Sequence, residues 1–551
     1  MMFLRVIFIF IFFFSSGNYF SQSPKKVTKP IAKPKLIVGI VVDQMRNDYI
    51  YRYWDRYGNG GFKKLVNNGY YLRNAHYNYV PTFTGPGHAS IYTGTTPRTN
   101  GIIANDWFDK DKKEMVYCVD DNKVNSVGTL SKDGKKSPVN QLSSTIGDEL
   151  KMSTNGKAKV FAIALKDRSA VLPAGHNADA AFWFDDSTGY FVSSSWYVKE
   201  LPKWLNDMNA LQLPKTYLQK GWNTLRPIGT YTNSIADQNK YEKSANKKET
   251  PTFPYEYSNF ISKNSFSVLK ATPYGNSITK DLAIACLNNE KLGKDEFTDL
   301  LAISFSSPDI IAHSYGPRSV EMEDVYIRLD LEIEELIKTL DLEVGASNYV
   351  LFLTADHGGA DVPSHLKDEQ IPADYFNSGN LKKQLRDHFQ SNYNDSTLFL
   401  NCSNEQIFLD ETKLNKLNKA EVEQKLCDLL INKKGIAEAY PSSVIKNNNF
   451  DERDIRSLIQ KGYNHQKSGN VAFVLRPAWM DYAKTGTTHG AAYSYDTHVP
   501  LIFYGSGIKK GSSLDYYSIT QIAPTLSDII KINYPNGCTD NSIDKLLIKE
   551  K

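Results

Sequence analysis

One threonine in the chain is placed where a nucleophile could act. Thr84 stands directly before Gly85, Pro86, Gly87 and His88. Glycine lets a ligand or metal approach the backbone closely, and proline suits the first turn of a helix. A helix that begins here would aim free N–H groups at an anion beside Thr84. We therefore predict that Thr84 is a nucleophile, although a threonine in a Gly/Pro loop is by itself an ordinary feature.

Aspartate and histidine residues that could bind metal recur after apolar segments or beside glycine. They are Asp43, Asp309, His313, Asp356, His357 and His489. Asp309 and His313 are four residues apart, so they lie on one side of a helical turn and can bind the same ion. Six such ligands suit two adjacent divalent ions, and a set without thiolates fits zinc better than manganese or iron. Two ions can hold the attacking and leaving oxygens of an in-line displacement at phosphorus, with Thr84 as the nucleophile.

A second group of polar residues suits anionic oxygens. Lys166 and Arg168 follow a core strand and are separated by one residue, and Asn105 lies in a loop. Surface charges are the commoner explanation for such a pair, but a position at a strand end favours a clamp. In a reaction at phosphorus, Asn105, Lys166 and Arg168 would hold the non-bridging oxygens.

The elements that must position these residues are short buried strands. Continuous apolar runs predict strands over 36–42, 158–165, 300–306, 348–354 and 499–505. Such runs are typical of parallel strands covered on both faces. An apolar stripe predicts an amphipathic helix over 325–340. The predicted fold is α/β, a doubly wound, mostly parallel sheet flanked by helices, with the ligand residues at its carboxyl edge.

The domain organisation follows from length and composition. Residues 35–545 are predicted to form one catalytic domain, with insertions near 171–290 and 360–470 that form a cap. A net charge of +4 over 551 residues does not point to a nucleic-acid partner. The five cysteines are far apart without a CxxC motif, which argues against a cysteine-based zinc site and leaves their disulfide state open.

The N-terminus has the pattern of an export signal. Arg5 precedes the apolar run 6–14 and a small-residue exit at 15–17, which predicts a signal peptide over 1–21. The run is too short to span a bilayer comfortably. Residues 22–34, rich in lysine and proline, are predicted to be a flexible mature N-terminus. The predicted location is periplasmic or secreted, with no stable membrane insertion.

In order and spacing, these motifs resemble the alkaline phosphatase superfamily over about residues 35–535. The motifs that carry the resemblance are Asp43 after a strand, Thr84 before Gly-Pro-Gly-His, Asp309 with His313, Asp356-His357-Gly358 and the late His489-Gly490. The chain is most similar to the phosphate-irrepressible alkaline phosphatases of the flavobacterial type, which use a threonine nucleophile, an asparagine and a Lys-x-Arg pair.

The resemblance implies a role for each site residue. One zinc ion would take Asp309, His313 and His489, and a second would take Asp43, Asp356 and His357, with Thr84 bridging in. Asn105, Lys166 and Arg168 would bind the substrate. The resemblance also implies an exported monomer that acts broadly on small-molecule phosphate monoesters. We find no clear set of extra carboxylates for a third, magnesium ion, and the Thr84 motif lacks the arginine of the sulfatase motif.

Two alternatives remain open at this point. A nucleotide pyrophosphatase or phosphodiesterase of the same superfamily would share the metal ligands and the threonine. It would lack the clamp of Lys166 and Arg168, because a diester has one charge fewer and an extra substituent. A non-catalytic metal-storage protein could keep the fold, but storage does not require a hydroxyl such as that of Thr84 at a helix start.

Overall fold

Ten strands form one sheet in the computed structural model, which describes residues 33–243, 250–263, 265–451 and 453–548. In chain order they are β1 (Leu36–Val42), β2 (Tyr70–His76), β3 (Ser126–Val127), β4 (Val160–Ala164), β5 (Ala180–Asp185), β6 (Tyr190–Ser194), β7 (Asp299–Phe305), β8 (Tyr349–Thr354), β9 (His498–Gly505) and β10 (Gly511–Ser518). Their order across the sheet is β10-β2-β9-β8-β1-β7-β4-β5-β6-β3. The predicted signal peptide and nearly all of the predicted flexible N-terminus lie outside the described residues.

The centre of the sheet is parallel, as the sequence predicts. β1 pairs in parallel with β8 on one side and with β7 on the other, and every residue of β1 is buried. β4 and β5 continue the parallel order beyond β7. β9 joins the sheet antiparallel to β8. The parallel strands therefore end at one edge, where Val42 of β1 lies opposite Phe305 of β7.

Four helices matter for the site: α1 (Thr84–Thr93), α2 (Asp167–Ala174), α3 (Ser307–Tyr315) and α4 (Val320–Leu340). The apolar stripe predicted over 325–340 is buried along α4, which the Ser319 side chain caps by accepting a hydrogen bond from the Met322 N–H. The remaining α-helices are Asp48–Arg52, Phe62–Asn68, Pro97–Asn100, Ile146–Ser153, Lys203–Ala210, Leu213–Gln219, Ser258–Ser262, Tyr274–Asn289, Pro363–Asp368, Ser378–Tyr393, Glu411–Leu414, Lys419–Ile431, Ser442–Asn447, Ile455–Gly462, Ser494–Thr497 and Ile522–Ile530.

The region 171–290, predicted to be an insertion, begins as part of the central sheet. β5 and β6 lie within it, and all six residues of β5 are buried. An aromatic run that is buried on both faces has no alternating pattern, so the sequence gives no clear strand signal there. Later in this region, the helix Tyr274–Asn289 packs against β7 and α4.

The region 360–470, together with the strand that follows it directly, builds a separate antiparallel sheet, which we call the small sheet. Its strands, in spatial order, are Phe399–Ser403, Gln406–Leu409, Val471–Leu475 and Ile436–Pro441. Side chains of this sheet and of the helices Ser378–Tyr393 and Lys419–Ile431 share a hydrophobic cluster of their own. Among the described residues we find no helix with the length and apolarity needed to traverse a bilayer. All five cysteines are free thiols.

Candidate active site

Three of the predicted ligands form a fully buried group, which we call the inner cluster: Asp43, Asp356 and His357. Asp43 follows the last residue of β1, and Asp356 and His357 follow the end of β8, the neighbouring parallel strand. The Nε2 of His357 lies 3.5 Å from an oxygen of Asp43 and 3.7 Å from one of Asp356. Adjacent strand ends therefore bring together residues that are more than 300 positions apart in the chain.

The other three predicted ligands form the outer cluster: Asp309, His313 and His489. The first two lie one turn apart on α3, with 3.3 Å between His313 Nε2 and Asp309 Oδ1. The Nε2 of His489 lies 3.5 Å from the same oxygen. The rings of His489 and His357 stack with centroids 3.5 Å apart, so the two clusters form one continuous site. The structure thus brings together all six residues that the sequence predicts as metal ligands.

The three histidines of the clusters are oriented in the same way. Their Nδ1 atoms lie 2.7–2.8 Å from backbone carbonyl oxygens, of Thr487 for His313, of Gly358 for His357 and of Thr82 for His489. If each Nδ1 donates to its carbonyl, the Nε2 keeps its lone pair and presents it to the carboxylates.

This arrangement fits cations. A lone pair and a carboxylate oxygen about 3.5 Å apart repel each other unless a positive charge lies between them. Asp43 Oδ1 and Asp356 Oδ2 are also buried and have no hydrogen-bond partner in the described part of the chain. Oxygen and imidazole ligands in two groups of three are a donor set that divalent metals such as zinc accept.

Electrostatics keep most of the site in the ligand-ready form. Burial lowers the pKa of His357, and burial together with repulsion by His357 lowers that of His489, so both rings are neutral. Burial would raise the pKa of Asp309 and Asp356, but the positive charge of Lys166 and, for Asp356, a hydrogen bond from His88 help to hold both below the ordinary range. Asp43 differs, because burial and the charge of Asp356 raise its pKa despite the ammonium of Lys166.

Thr84 is the first residue of α1 and is buried. Its Oγ1 lies 3.5 Å from His357 Nε2, so the hydroxyl faces the inner cluster. The glycines after it were expected to leave room for a ligand, but at Gly87 the room is taken by the protein itself. A Cβ at Gly87 would lie 2.3 Å from the backbone oxygen of Asp356. Gly87 therefore allows α1 to pack directly against the loop that carries two ligands.

The three predicted substrate-binding residues differ in their distance from the clusters. Lys166 Nζ lies 2.6 Å from Asp43 Oδ2 and 2.5 Å from Asp309 Oδ2, between the inner and outer clusters. Asn105 accepts a hydrogen bond from the N–H of Gly85 at 2.7 Å, which leaves its NH2 group as the donor beside Thr84. The side chain of Arg168 forms its hydrogen bond with Tyr117 rather than with a residue of either cluster.

Arg168 and its neighbours form a short chain of hydrogen bonds. Its Nη1 donates to the hydroxyl of Tyr117 at 2.9 Å, and that hydroxyl donates to Asp167 at 2.6 Å. The guanidinium is partly buried, and its Nε has no hydrogen-bond partner among the described residues. Arg168 thus retains unused donor capacity for an anion.

Two residues of the site were not predicted. Gln44 has a left-handed backbone (φ 59°), donates its N–H to Asp356 at 3.1 Å, and donates from Nε2 to Asp309 at 2.6 Å, so it links the two clusters. His88 lies 3.3 Å from Asp356 Oδ2 and 2.9 Å from the carbonyl oxygen of Thr84. The four-residue spacing of His88 from Thr84 was a usable signal, because it places both on one face of α1. For Gln44 the only signal was its position beside Asp43.

The chain matches known proteins along nearly its whole length. The family model described as type I phosphodiesterase / nucleotide pyrophosphatase matches residues 37–498. Alkaline phosphatase PafA of Elizabethkingia meningoseptica is 40% identical over 524 residues, which cover 94% of this chain and 96% of the relative. Alkaline phosphatase PhoV of Synechococcus elongatus is 41% identical over 548 residues, 98% of each chain. A protein named calcium-transporting ATPase from Myroides odoratus is 41% identical over 522 residues, 93% of this chain and 94% of that one.

The same relationship holds in three dimensions. The crystal structure of wild-type alkaline phosphatase PafA superposes with a TM-score of 0.91 and covers 94% of this chain and 100% of that one, at 40% identity. The chain therefore belongs to the type I phosphodiesterase / nucleotide pyrophosphatase family within the alkaline phosphatase superfamily, as an enzyme of the alkaline phosphatase type.

Proposed function

We propose that this protein is an exported phosphate monoesterase of broad specificity that works through a phosphothreonine at a two-zinc site. The observation that carries the proposal is the position of the Thr84 hydroxyl, 3.5 Å from His357 Nε2, beside two groups of carboxylates and imidazoles that could hold metal ions. Export is proposed from the signal-like N-terminus of the sequence, and a monomeric state from the resemblance to the flavobacterial enzymes.

The residues of the two clusters are suited to hold the ions. Asp43, Asp356 and His357 would bind one ion. Asp309 and His489, whose ligand atoms lie within 4.8 Å of one another and of His357, would bind the other together with His313. Bound zinc supplies activation of a hydroxyl nucleophile and stabilisation of a leaving oxygen. The carbonyl partners of the histidines keep each Nε2 directed inward, and His88 and Gln44 hold the carboxylates in place.

Thr84 performs the first chemical step. Its Oγ1 loses a proton and bonds to phosphorus, the P–O bond to the alcohol breaks, and the alcohol leaves with the electron pair and takes up a proton. Water then cleaves the phosphothreonine, which restores the hydroxyl and releases inorganic phosphate. The buried start of α1 keeps the hydroxyl aligned, and the local helix N–H groups favour the phosphoryl charge.

Three side chains would hold the phosphoryl group. The NH2 of Asn105 donates to one non-bridging oxygen, and the ammonium of Lys166 and the guanidinium of Arg168 balance its charge. Because a monoester carries more negative charge than a diester, two cations beside the nucleophile favour monoesters. The family model names phosphodiesterases, so a nucleotide pyrophosphatase or phosphodiesterase is the second candidate.

Two measurements test the proposal. We expect Thr84→Ala to lower kcat by a factor of about 10³ or more, while Thr84→Ser keeps a hydroxyl and retains much more activity. Acid quenching during turnover, followed by mass spectrometry, should find phosphate on Thr84. Hydrolysis at the original rate by Thr84→Ala would overturn the nucleophile assignment.

A substrate panel with matched variants separates the two candidate functions. The ratio of kcat/KM for a phosphate monoester to that for a diester should be well above one. Arg168→Ala should lower this ratio, because the diester needs the second cation less. A preference for the diester, or equal losses on both substrates, would favour the phosphodiesterase alternative. Metal analysis of the same preparation should give two zinc ions per chain.

A further inference from the structure

A cavity of about 230 Å³ lies beside the site, between the catalytic edge and the small sheet. It is lined on the catalytic side by Phe83, which precedes Thr84, and by His489 of the outer cluster. On the other side it is lined by residues of the small sheet and of the loops around it, including Glu405 and Phe473. A volume of this size admits a small organic group rather than a single water molecule.

The charges around this cavity all have one sign. Its lining contains three carboxyl groups, on Glu405, Asp481 and Asp496, and no lysine or arginine. Arg46, the nearest cation acting on Asp496, is already held by Asp48 at 2.9 Å and by Asp361 at 3.3 Å. The cavity is therefore lined by carboxyl groups without a lysine or arginine, whereas Lys166 and Arg168 do not line it.

Asp496 is fully buried, and it lines the cavity. Its Oδ2 accepts a hydrogen bond from the N–H of Ala491 at 2.6 Å, and the N–H of Gly490 also interacts with the carboxylate. Its Oδ1 makes no hydrogen bond of regular geometry in the described part of the chain. A buried carboxylate oxygen without a partner is costly to maintain. The structure therefore offers an unused acceptor at the wall of the cavity.

Glu405 supplies a second free carboxylate under backbone strain. It forms the hairpin turn between two strands of the small sheet together with Asn404, and both residues have left-handed backbones, with φ of 54° and 52°. Such turns favour glycine at the position of Glu405, because a side chain is strained there. No hydrogen bond or ion pair engages the Glu405 side chain among the described residues. Strain of this kind, kept at the wall of a cavity, indicates a functional side chain.

The free-energy cost of burying these carboxylates in ionised form is reflected in raised pKa values. Burial, with repulsion by Asp481, raises the pKa of Glu405 to about 7. Burial raises the pKa of Asp496 to about 8. A cation in the cavity would offset this cost by pairing with the ionised forms.

The rest of the lining suits an organic cation. Aromatic rings of Phe83, Phe473 and Tyr495 contribute to the wall, whereas the ring of Tyr463 already has the ammonium of Lys446 5.7 Å from its centre. Ring faces attract ammonium groups, and the attraction increases when water is excluded. Trp479 also lines the cavity, but its ring already has the ammonium of Lys434 5.3 Å from its centre, so we give it no role here.

We propose that this cavity binds the alcohol part of phosphate monoesters whose alcohol carries a primary or quaternary ammonium group. The inference rests on the proposed monoesterase function, because it assigns the leaving group of that reaction. The phosphoryl group would lie at Thr84, and the ammonium would lie among Glu405, Asp481 and Asp496. The enzyme would then act on many monoesters and prefer those of amino alcohols.

The test compares two esters of the same shape. Phosphocholine and 3,3-dimethylbutyl phosphate differ by nitrogen in place of carbon, so only the first is cationic. We expect the intact protein to favour phosphocholine in kcat/KM by roughly tenfold. Glu405→Gln and Asp481→Asn should each bring the ratio toward one. The control Glu421→Gln removes an exposed carboxylate from the helix Lys419–Ile431 and should keep the ratio.

Each outcome of the test is decisive. Equal rates on both esters in the intact protein, or a ratio that stays unchanged in both Glu405→Gln and Asp481→Asn, would overturn the pocket assignment. Failure to hydrolyse either ester would contradict the proposed function instead. In that case calorimetry with choline alone tests the pocket, since the intact protein should bind choline and Glu405→Gln should bind it more weakly. Absence of choline binding to the intact protein would overturn the inference.

Discussion

The inner and outer clusters use similar ligands in different settings. Asp43, Asp356 and His357 are completely buried, and they follow two adjacent strands of the central sheet. In the outer cluster, the side chain of His313 is 28% exposed, and His489 comes from a loop. The contrast teaches that one half of the site is part of the hydrophobic core, whereas the other half is held by local contacts of a helix and a loop.

This difference has consequences for energetics. Core side chains pack densely and cannot move without disturbing their neighbours. Changes in the inner cluster should therefore lower both activity and the free energy of unfolding. Changes in the outer cluster should lower activity and metal binding with much less effect on folding.

Removal of the metals should have the largest effect. Dialysis against a chelator should abolish phosphatase activity, and it should lower the unfolding temperature because bound ions stabilise only the folded chain. Under limiting chelator, the more accessible outer ion should leave first. Metal content and activity, followed together, should therefore fall in two stages. Loss of all bound metal in a single step would show that the chelator reaches the two clusters equally well.

Single ligand substitutions should separate the clusters. Changes in groups that support a metal ligand typically reduce activity by about 10- to 100-fold. Asp356 is itself a predicted ligand, so Asp356→Asn should reduce activity by more than this. It should also lower the free energy of unfolding. It leaves Gln44 and His88 beside a neutral amide instead of a carboxylate. His313→Asn should reduce activity while the denaturation midpoint changes little. Equal losses of stability in the two variants would contradict the contrast.

Packing at the inner cluster can be tested without substituting any of the predicted metal ligands. Gly87→Ala would place a Cβ 2.3 Å from the Asp356 backbone oxygen, and it should cost about 1–3 kcal/mol in the free energy of unfolding. Gly229→Ala is the matched control, because nothing lies within 4 Å of its added Cβ. Urea denaturation of both variants measures the difference. A stable Gly87→Ala protein would mean that α1 can shift away from the loop of Asp356.

The smallest effect is expected at the rim of the outer cluster. The hydroxyl of Tyr482 donates to the carbonyl oxygen of His313 at 3.1 Å, and its ring lies against the His313 ring. Tyr482→Phe keeps the ring and removes only this exposed hydrogen bond. We expect a change of less than about 0.5 kcal/mol in the free energy of unfolding and a change of KM no larger than a few-fold. A large loss of bound metal in this variant would show that the loop needs this bond to hold His313.

The central strands could be predicted from sequence because they are buried on both faces. The runs that become β1, β4, β7 and β8 are continuously apolar, and each is followed by a polar residue that belongs to the site. The pattern of apolar residues predicted β2 and β10 less well, because these strands lie toward the edge of the sheet and have mixed polarity. They were also weaker for β5 and β6, whose aromatic residues gave no periodic pattern.

The sequence by itself determined the residue types of the site, the order of its motifs and the parallel centre of the sheet. These depend on side-chain chemistry and on hydrophobic runs that act over a few residues. Only the tertiary structure decided why Gly87 must lack a side chain and that Gln44 and His88 support the carboxylates. It also decided that the small sheet helps to line a cavity that contains three carboxyl groups and reaches Phe83 and His489. The physical reason is that these contacts join segments hundreds of residues apart, whose distances are set by strand pairing and core packing rather than by local sequence.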